Sequence, residues 1–420
     1  MIVEQGNPWK EASMTNPMHG KTIVLGVTGS IACYKAADLA SKLAQNGAQV
    51  EVILTQAATQ FITPLTFQSV TGQRTYQDAD LWGGEGHVLH VGLGHRAELL
   101  VIAPASANTL AKLAHGLADN LLTLTALATH CPLLLAPAMD GDMYTNPATQ
   151  ENLVILRHRG AMILGPAEGH LASGMQGVGR MVEPAEILGN IRWLLGRDGI
   201  LKHRKIVVTA GGTQEAIDPV RAITNRSSGK QGFALAQTAL DLGAEVTLIA
   251  GATYLDTPPG AQRVDVSSAD EMLSAVMAAL PEADALLMAA AVADFKPVQR
   301  SEEKIKKQSG VPAIELQMAP DVLAAVAEYK SRTGFPRVTV GFAAESQDLV
   351  DNARSKLLSK RLNIIVANDI RATDAGFAVD DNRVTLLDAR GGIELLPLMS
   401  KTEVAEIVLS RVVDLLNTSG

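Results

Sequence analysis

Aromatic residues are scarce: Phe, Trp and Tyr make up 4% of the 420 residues. Stacking platforms for single-stranded nucleic acid need more of them. Basic charge is short as well, with 36 Lys and Arg against 44 Asp and Glu, a formal net charge of −8. That balance argues against nucleic acid or an anionic membrane as partner of the whole chain, while a local basic cluster still suits a phosphorylated metabolite. The two cysteines, Cys33 and Cys131, lie far apart in apolar contexts. They make no disulfide framework and point to buried thiols in a reducing, cytoplasmic compartment. No uninterrupted apolar run reaches the roughly 18 residues of a membrane span. Residues 1–20 lack the basic start and apolar core of a signal peptide and are expected to form a disordered extension.

What is present is a chain long enough for two cores, with 47% apolar residues to fill them. The chain is organised around Glu98–Thr109. Leu99–Ala103 reads as a strand buried on both faces, stopped by Pro104, which has no N–H for the ladder. Ser106, Asn108 and Thr109 follow on the loop at the strand's carboxyl end, where open α/β sheets bind ligands. A helix over 110–127 is expected next, its first amides free for a phosphate or flavin edge. An ordinary junction with a Ser/Asn cap explains the same residues.

Upstream, strand Lys21–Val27, turn Thr28-Gly29-Ser30, helix Ile31–Asn46 and strand Ala48–Leu54 make a βαβ opening. It lacks a full G-x-G-x-x-G. Thr55 is either a flavin contact or a cap. His87, His90 and His95 have a spacing that suits a metal, but no acid or thiolate cluster accompanies them. After strand Pro132–Pro137, Asp140 and Asp142 are either an acid/base pair or loop solvation. The glycine-rich segment 165–180 reads as a mobile loop, a lid or a slack connection. Helix Glu186–Arg197 and a polar linker, 198–204, close the half.

The pattern then restarts. Strand Lys205–Thr209, turn Gly211-Gly212-Thr213, a helix and strand Ala244–Ile249 repeat the opening, and LGAEVTLIA echoes NGAQVEVIL. Asn225, Ser227, Ser228, Gly229 and Lys230 offer phosphate donors before a helix, without Walker A spacing. Ala290-Ala291-Val-Ala-Asp294 ends a further strand in small residues that let a ligand approach the backbone. Lys304, Lys306 and Lys307 form either a solvated run or a lysine arm for a triphosphate. Lys356 and Lys360 share one helix face.

Pro104-Ala-Ser-Ala-Asn-Thr109 and Pro137-Ala-Met-Asp-Gly-Asp-Met-Tyr144 resemble the two signature motifs of the homo-oligomeric flavin-containing cysteine decarboxylases. Ala210-Gly-Gly-Thr213, Asp218-Pro-Val-Arg221, Asn225–Lys230, Ala290–Asp294, Glu303–Lys307 and Gly341–Glu345 resemble phosphopantothenoylcysteine synthetase. In this order the two halves are similar to the bifunctional family of bacterial coenzyme A biosynthesis.

The resemblance implies an α/β protein of two Rossmann-like three-layer domains. The first, 21–197, is a flavodoxin-like, FMN-dependent decarboxylase; the second, 205–420, is a ribokinase/Rossmann-like phosphopantothenate–cysteine ligase. The ligase would activate 4'-phosphopantothenate with CTP and Mg²⁺ as an acyl-cytidylate that cysteine's amine attacks. The decarboxylase would let FMN oxidise the product's thiol to a thioaldehyde, so that CO₂ leaves, and then return the hydride. Carried over by position, Gly29, Ser30, Thr55, Ser106, Asn108 and Thr109 hold the flavin, and His90 is the catalytic base. Asp140, Met143 and Arg180 meet substrate. Ser173 stands where the family has a proton-donating cysteine, and Asp140 where it has asparagine. In the ligase, Lys304 serves cytidylate formation and Asn225 its turnover. Ala290, Ala291, Asp294, Phe342, Lys356 and Lys360 match the nucleotide site, as does the turn Pro320-Asp321-Val322, with Ala319 where asparagine is usual. The metal ligands are not assigned. A cytoplasmic dodecamer of decarboxylase trimers and ligase dimers is implied, without nucleic acid or membrane. The alternatives are another FMN-dependent decarboxylase fused to a nucleotide-binding module, or an inert flavin-binding regulator.

Overall fold

A computed structural model describes residues 16–82, 88–306, 313–345, 348–369 and 381–418. The chain divides into two compact units, 1–196 and 197–420.

The first unit is built on six parallel strands: β1 (Thr22–Val27), β2 (Gln49–Leu54), β3 (Thr75–Gln77), β4 (Leu99–Ala105), β5 (Leu133–Pro137) and β6 (Met162–Ile163). Their order is β3-β2-β1-β4-β5-β6, the doubly wound order whose reversal lies between β1 and β4. Strand residues alternate between two cores. Ile23, Leu25 and Val27 pack with Leu39 and Leu43 on one face, and Val24 packs with Leu93 and Leu122 on the other. Each fully buried aliphatic side chain of this kind contributes about 2 kcal/mol. Helix Cys33–Gln45 turns Cys33, Ala36, Leu39, Ala40 and Leu43 inward, and Gly47, at φ +82°, turns the chain into β2.

Four expectations need correction here. Pro104 does not stop β4, because the ladder to β5 is interrupted between Ile102 and Ala105 and the Pro104 carbonyl accepts from the Thr28 hydroxyl at 2.7 Å. The helix expected over 110–127 is two, Ala107–His115 and Leu121–Ala128, split where Gly116 takes φ +70° and Asn120 caps the second. The 165–180 segment holds an antiparallel ribbon, β7 (Ala167–His170) with β8 (Gln176–Arg180). Within residues 16–20, Met18 is buried in the core and the Asn16 amide donates to Asn46; residues 1–15 lie outside the described ones.

The second unit repeats the order. Its strands are β9 (Lys205–Ala210), β10 (Gln214–Asp218), β11 (Arg221–Thr224), β12 (Glu245–Ala250), β13 (Gln262–Asp265), β14 (Ala285–Met288), β15 (Phe295–Pro297), β16 (Leu316–Met318), β17 (Val338–Glu345), β18 (Ile364–Asp369), β19 (Asp381–Asn382), β20 (Val384–Asp388) and β21 (Ile393–Leu395). The main sheet runs β13-β12-β9-β14-β17-β18-β20-β21, parallel through β18 and antiparallel beyond it. The stretch 198–204 is part of this unit: Leu201 is buried, its N–H bonds Leu242, and Arg204 pairs with Asp284 at 2.9 Å.

Candidate functional sites

In the first unit a cavity of about 590 Å³ opens beside the carboxyl ends of β1, β4 and β5, between those loops and the ribbon. The Thr28 hydroxyl ties two of its walls, donating to Pro104 and accepting the Ser106 N–H at 2.9 Å. Gly29 has no substitute: a Cβ there would meet that of Ala57 at 2.6 Å. The Ser30 hydroxyl accepts from Ala32 N–H, and Ser106 caps helix Ala107–His115. The amino ends of two helices thus face one cavity, an arrangement that suits an anion.

The ribbon closes over the loop after β5. The Met139 N–H donates to the Gly179 carbonyl at 3.0 Å, and the Ser173 hydroxyl donates to the Asp140 carboxylate at 2.6 Å. The Ser173 hydroxyl, then the Asp142 N–H, holds the Asp140 carboxyl below the usual range. Lys35, 4% exposed, donates to Met181 O at 2.9 Å and to Glu183 at 3.0 Å.

Of the residues singled out in sequence, Gly29, Ser30, Ser106, Asp140, Met143, Ser173 and Arg180 line this cavity. Thr55, Asn108 and Thr109 are not among its lining. The Thr55 hydroxyl caps a turn through Ala58 N–H, Thr109 is buried behind Ser106, and Asn108 is exposed on the first helical turn. His90 does not line it either. It lies in the first turn of helix Leu89–Arg96, whose far end leads to the start of β4, where Glu98 N–H meets Thr22 O; the helix start therefore lies toward the sheet's carboxyl side. Lys35 and His170 line the cavity and were missed. Lys35 carried a signal, a charge on the same helix face as Ala36 and Leu39.

In the second unit, the loops after β9 and β14 interlock. Thr209 and Thr213 are fully buried; their hydroxyls accept the N–H groups of Ala290 and Ala293 at 3.0 and 2.9 Å. The Asn225 amide donates to the Ala291 carbonyl at 2.9 Å, so Asn225, Ala290 and Ala291 come together. The exposed Asp294 joins the neighbouring turn through its carbonyl, which accepts Ala319 N–H. In that turn follow Pro320, Asp321 and the buried Val322, and Asp321 caps helix Val322–Thr333. Lys360 pairs with Asp321. Burial alone would raise the Asp321 carboxyl, but the Lys360 ammonium and the Ala324 N–H outweigh it and hold it low. Phe342 follows Gly341, the register partner of Met288, which sets it at the same sheet edge. Lys356 is half-buried one turn before Lys360.

Lys304 is exposed, and its segment is anchored. The fully buried Asp218 carboxylate accepts from Val220 N–H at 2.8 Å, Arg221 at 2.7 Å and Ile305 N–H at 3.2 Å. Burial would raise this carboxyl; the backbone N–H groups and Arg221 hold it below the usual range. A depressed carboxylate contributes stability above its unfolded value and loses it as pH falls through the folded one. Asp218→Asn is therefore expected to free the segment, quickening tryptic cleavage after Lys304 and Lys306 about tenfold. In the wild type the same anchor should be lost only below the usual carboxylate range, read as lost hydrogen-exchange protection of the Ile305 N–H. Lys307 and His87 lie outside the described residues. Among those described, no three His, Cys, Asp or Glu gather as for a metal, and no helix is long and apolar enough to cross a membrane.

Residues 11–196 match the flavoprotein family, and residues 201–416 match the C-terminal domain of the DNA/pantothenate metabolism flavoproteins. The coenzyme A biosynthesis bifunctional protein CoaBC of Vibrio cholerae is 45% identical over 93% of this chain and 97% of its own length. That of Bacillus subtilis is 42% identical over 96% and 99%. The chain belongs to the CoaBC family. A solved C-terminal domain of a CoaBC protein is 37% identical, covering 53% of this chain and 100% of its own, with a TM-score of 0.45. Membership bears out the bifunctional decarboxylase–ligase expected from the motifs, and the flavoprotein match supports a flavin in the first unit. Within a CoaBC chain, the Gly29–Ser30 turn, Ser106 and the two helix amino ends fit that group.

Proposed function

We propose that the second unit joins 4'-phosphopantothenate to cysteine with CTP and Mg²⁺, and that the first decarboxylates the product with FMN, in a cytoplasmic homo-oligomer. The observation that carries the first half is the gathering of Gly29, Ser30, Ser106, Asp140, Met143, Ser173 and Arg180 around one cavity in a CoaBC chain; the second half rests on the meeting of Asn225, Ala290 and Ala291 at one sheet edge. In the first unit, Gly29 admits the ligand close to the backbone, and Ser30 and Ser106 present hydroxyls and helix amides to the flavin's phosphate. FMN supplies reversible removal of hydride from the thiol-bearing carbon. Arg180 receives an anionic group of the substrate, and the ribbon excludes water. Asp140 orients the Ser173 hydroxyl by accepting its hydrogen bond. His90 stands outside this lining, and its assignment as base rests on the family motif.

In the second unit, Ala290 and Ala291 let the nucleotide approach the backbone, and Asn225, held by Ala291, faces the acyl intermediate. Lys304, Lys356 and Lys360 offset phosphate charge, the last by leaving Asp321 for the nucleotide. Mg²⁺ would arrive largely on the phosphates, as that ion usually does. Purified protein should be yellow. It should release pyrophosphate from CTP only with phosphopantothenate present, form the amide on adding cysteine, and then release CO₂. A flavin-loaded preparation that releases no CO₂ from phosphopantothenoylcysteine would refute the first half. Pyrophosphate release independent of phosphopantothenate would refute the second.

A further inference from the structure

Lys35 is a buried cation that no step above uses. Its side chain is 5% exposed, against 58% for its partner Glu183. A lysine is seldom buried so deeply without partners, and here it has two: the Met181 carbonyl at 2.9 Å and Glu183 at 3.0 Å. Both partners lie just past Arg180 in the chain. Glu183 in turn accepts from the Arg180 guanidinium at 2.6 Å. Three charges therefore run Lys35, Glu183, Arg180, and both cations line the cavity. Glu183 and Arg180 alone would cancel. With Lys35 the trio keeps one net positive charge beside Asp140, which otherwise makes the cavity repel an anion.

We propose that Lys35 is a positioning residue of the decarboxylase cavity: through Met181 O and Glu183 it fixes the end of the ribbon and aims Arg180 at an anionic oxygen group of the substrate. The inference rests on the decarboxylase reading. Helix Cys33–Gln45 supplies a rigid base for the tie, whereas Arg180, half-exposed on a two-stranded ribbon, has no comparable support of its own. A long guanidinium left to rotate loses much of its grip, since ordering it must then be done by the substrate.

The test uses the full-length, flavin-loaded protein. Wild type must first release CO₂; if it does not, the functional reading fails and not this one. Lys35→Met should then raise KM for phosphopantothenoylcysteine about tenfold with kcat changed less than about threefold. Arg180→Gln should do the same, and the double variant should be no worse than Arg180→Gln alone, since both act through one guanidinium. Repeating the pair on pantothenoylcysteine separates the anion's sources: a KM rise that persists assigns Arg180 to the carboxylate, and one that vanishes assigns it to the phosphate. Should Lys35→Met fail to fold, Glu183→Gln breaks the same tie from its solvent side and should give the same KM rise. An unchanged KM in the folded variants, or effects of Lys35→Met and Arg180→Gln that multiply, would overturn the proposal.

Discussion

Gly179→Ala is expected to lower CO₂ release about a hundredfold, the usual cost of misplacing a site by about an ångström, while pyrophosphate release by the second unit continues. The reason is a backbone-on-backbone contact. A Cβ on Gly179 would lie well inside the contact radius of the Met139 carbonyl oxygen, and within 3.3 Å of the Asp140 carbon and the Gly141 nitrogen. None of these atoms can swing away as a flexible side chain would. The ribbon must therefore lift from the loop after β5. Arg180, next in the chain, then leaves its place, and the hydrogen bond from Ser173 to Asp140 is lost. Gly177→Ala is the control on the same strand. Its nearest neighbour would be a Leu171 methyl at 3.8 Å, an ordinary contact, so its rate should stay within about twofold of wild type. Equal behaviour of the two variants would show that the ribbon's seat on Met139 is irrelevant to decarboxylation.

Both sheets were legible from short apolar runs between glycine turns. The echo of NGAQVEVIL in LGAEVTLIA is the echo of β2 in β12, and six of the second sheet's eight strands repeat the order of the first sheet. What sequence periodicity could not show was pairing that depends on a distant partner. Pro104 reads as a strand stop, yet the Thr28 hydroxyl meets its carbonyl from another loop. The 165–180 glycines read as a mobile loop, a lid or a slack connection, whereas one of them, Gly179, is required by the close approach of Met139. The ribbon β10–β11 carries no such local signal, and one of the three groups that hold its Asp218, the Ile305 N–H, lies far along the chain.

The candidate sites divide in the same way. Residues on strand-end loops, such as Ser106, Asp140 and Arg180, meet around the cavity because parallel strands deliver their carboxyl ends to one edge. His90 belongs to a helix rather than to a strand-end loop, so it sits toward the same edge without joining the cavity lining, and nothing local in the sequence distinguishes it from His95. A lysine near a helix start reads as solvated, yet Lys35 is buried. Its burial follows from Glu183, a residue of the ribbon's exit. Asp140 and Ser173, which depart from the family motifs separately, are joined by one hydrogen bond. The Ser173 proton is thereby committed to an ionised carboxylate, which opposes its service as an acid.

Gly232→Ala is expected to destabilise the second unit by about 3 kcal/mol, the upper end for overpacking, and to lower pyrophosphate release with it. Gly232 lies in the first turn of helix Lys230–Asp241. A Cβ there would meet the Ala210 Cβ at 2.5 Å, the Thr209 carbonyl oxygen at 2.7 Å and the Ala210 Cα at 2.9 Å. The helix thus rests directly on the end of β9, the role that a third glycine plays in nucleotide-binding βαβ units. Lifting it moves Gly229, whose φ of +81° sets the helix start. It also disturbs Thr209, whose hydroxyl holds the Ala290 N–H. The loss should appear as a drop in Tm of about 2–4 °C per kcal/mol for a unit of this size. Gly334→Ala is the comparison: Gly334 caps the carboxyl end of helix Val322–Thr333 and has nothing within 4 Å. It should cost only the about 1 kcal/mol of a left-handed backbone without glycine. If Gly232→Ala melts no lower than Gly334→Ala, the helix is not seated on β9 as described, and the nucleotide site loses the contact that holds Gly229 and Ala290 to one edge.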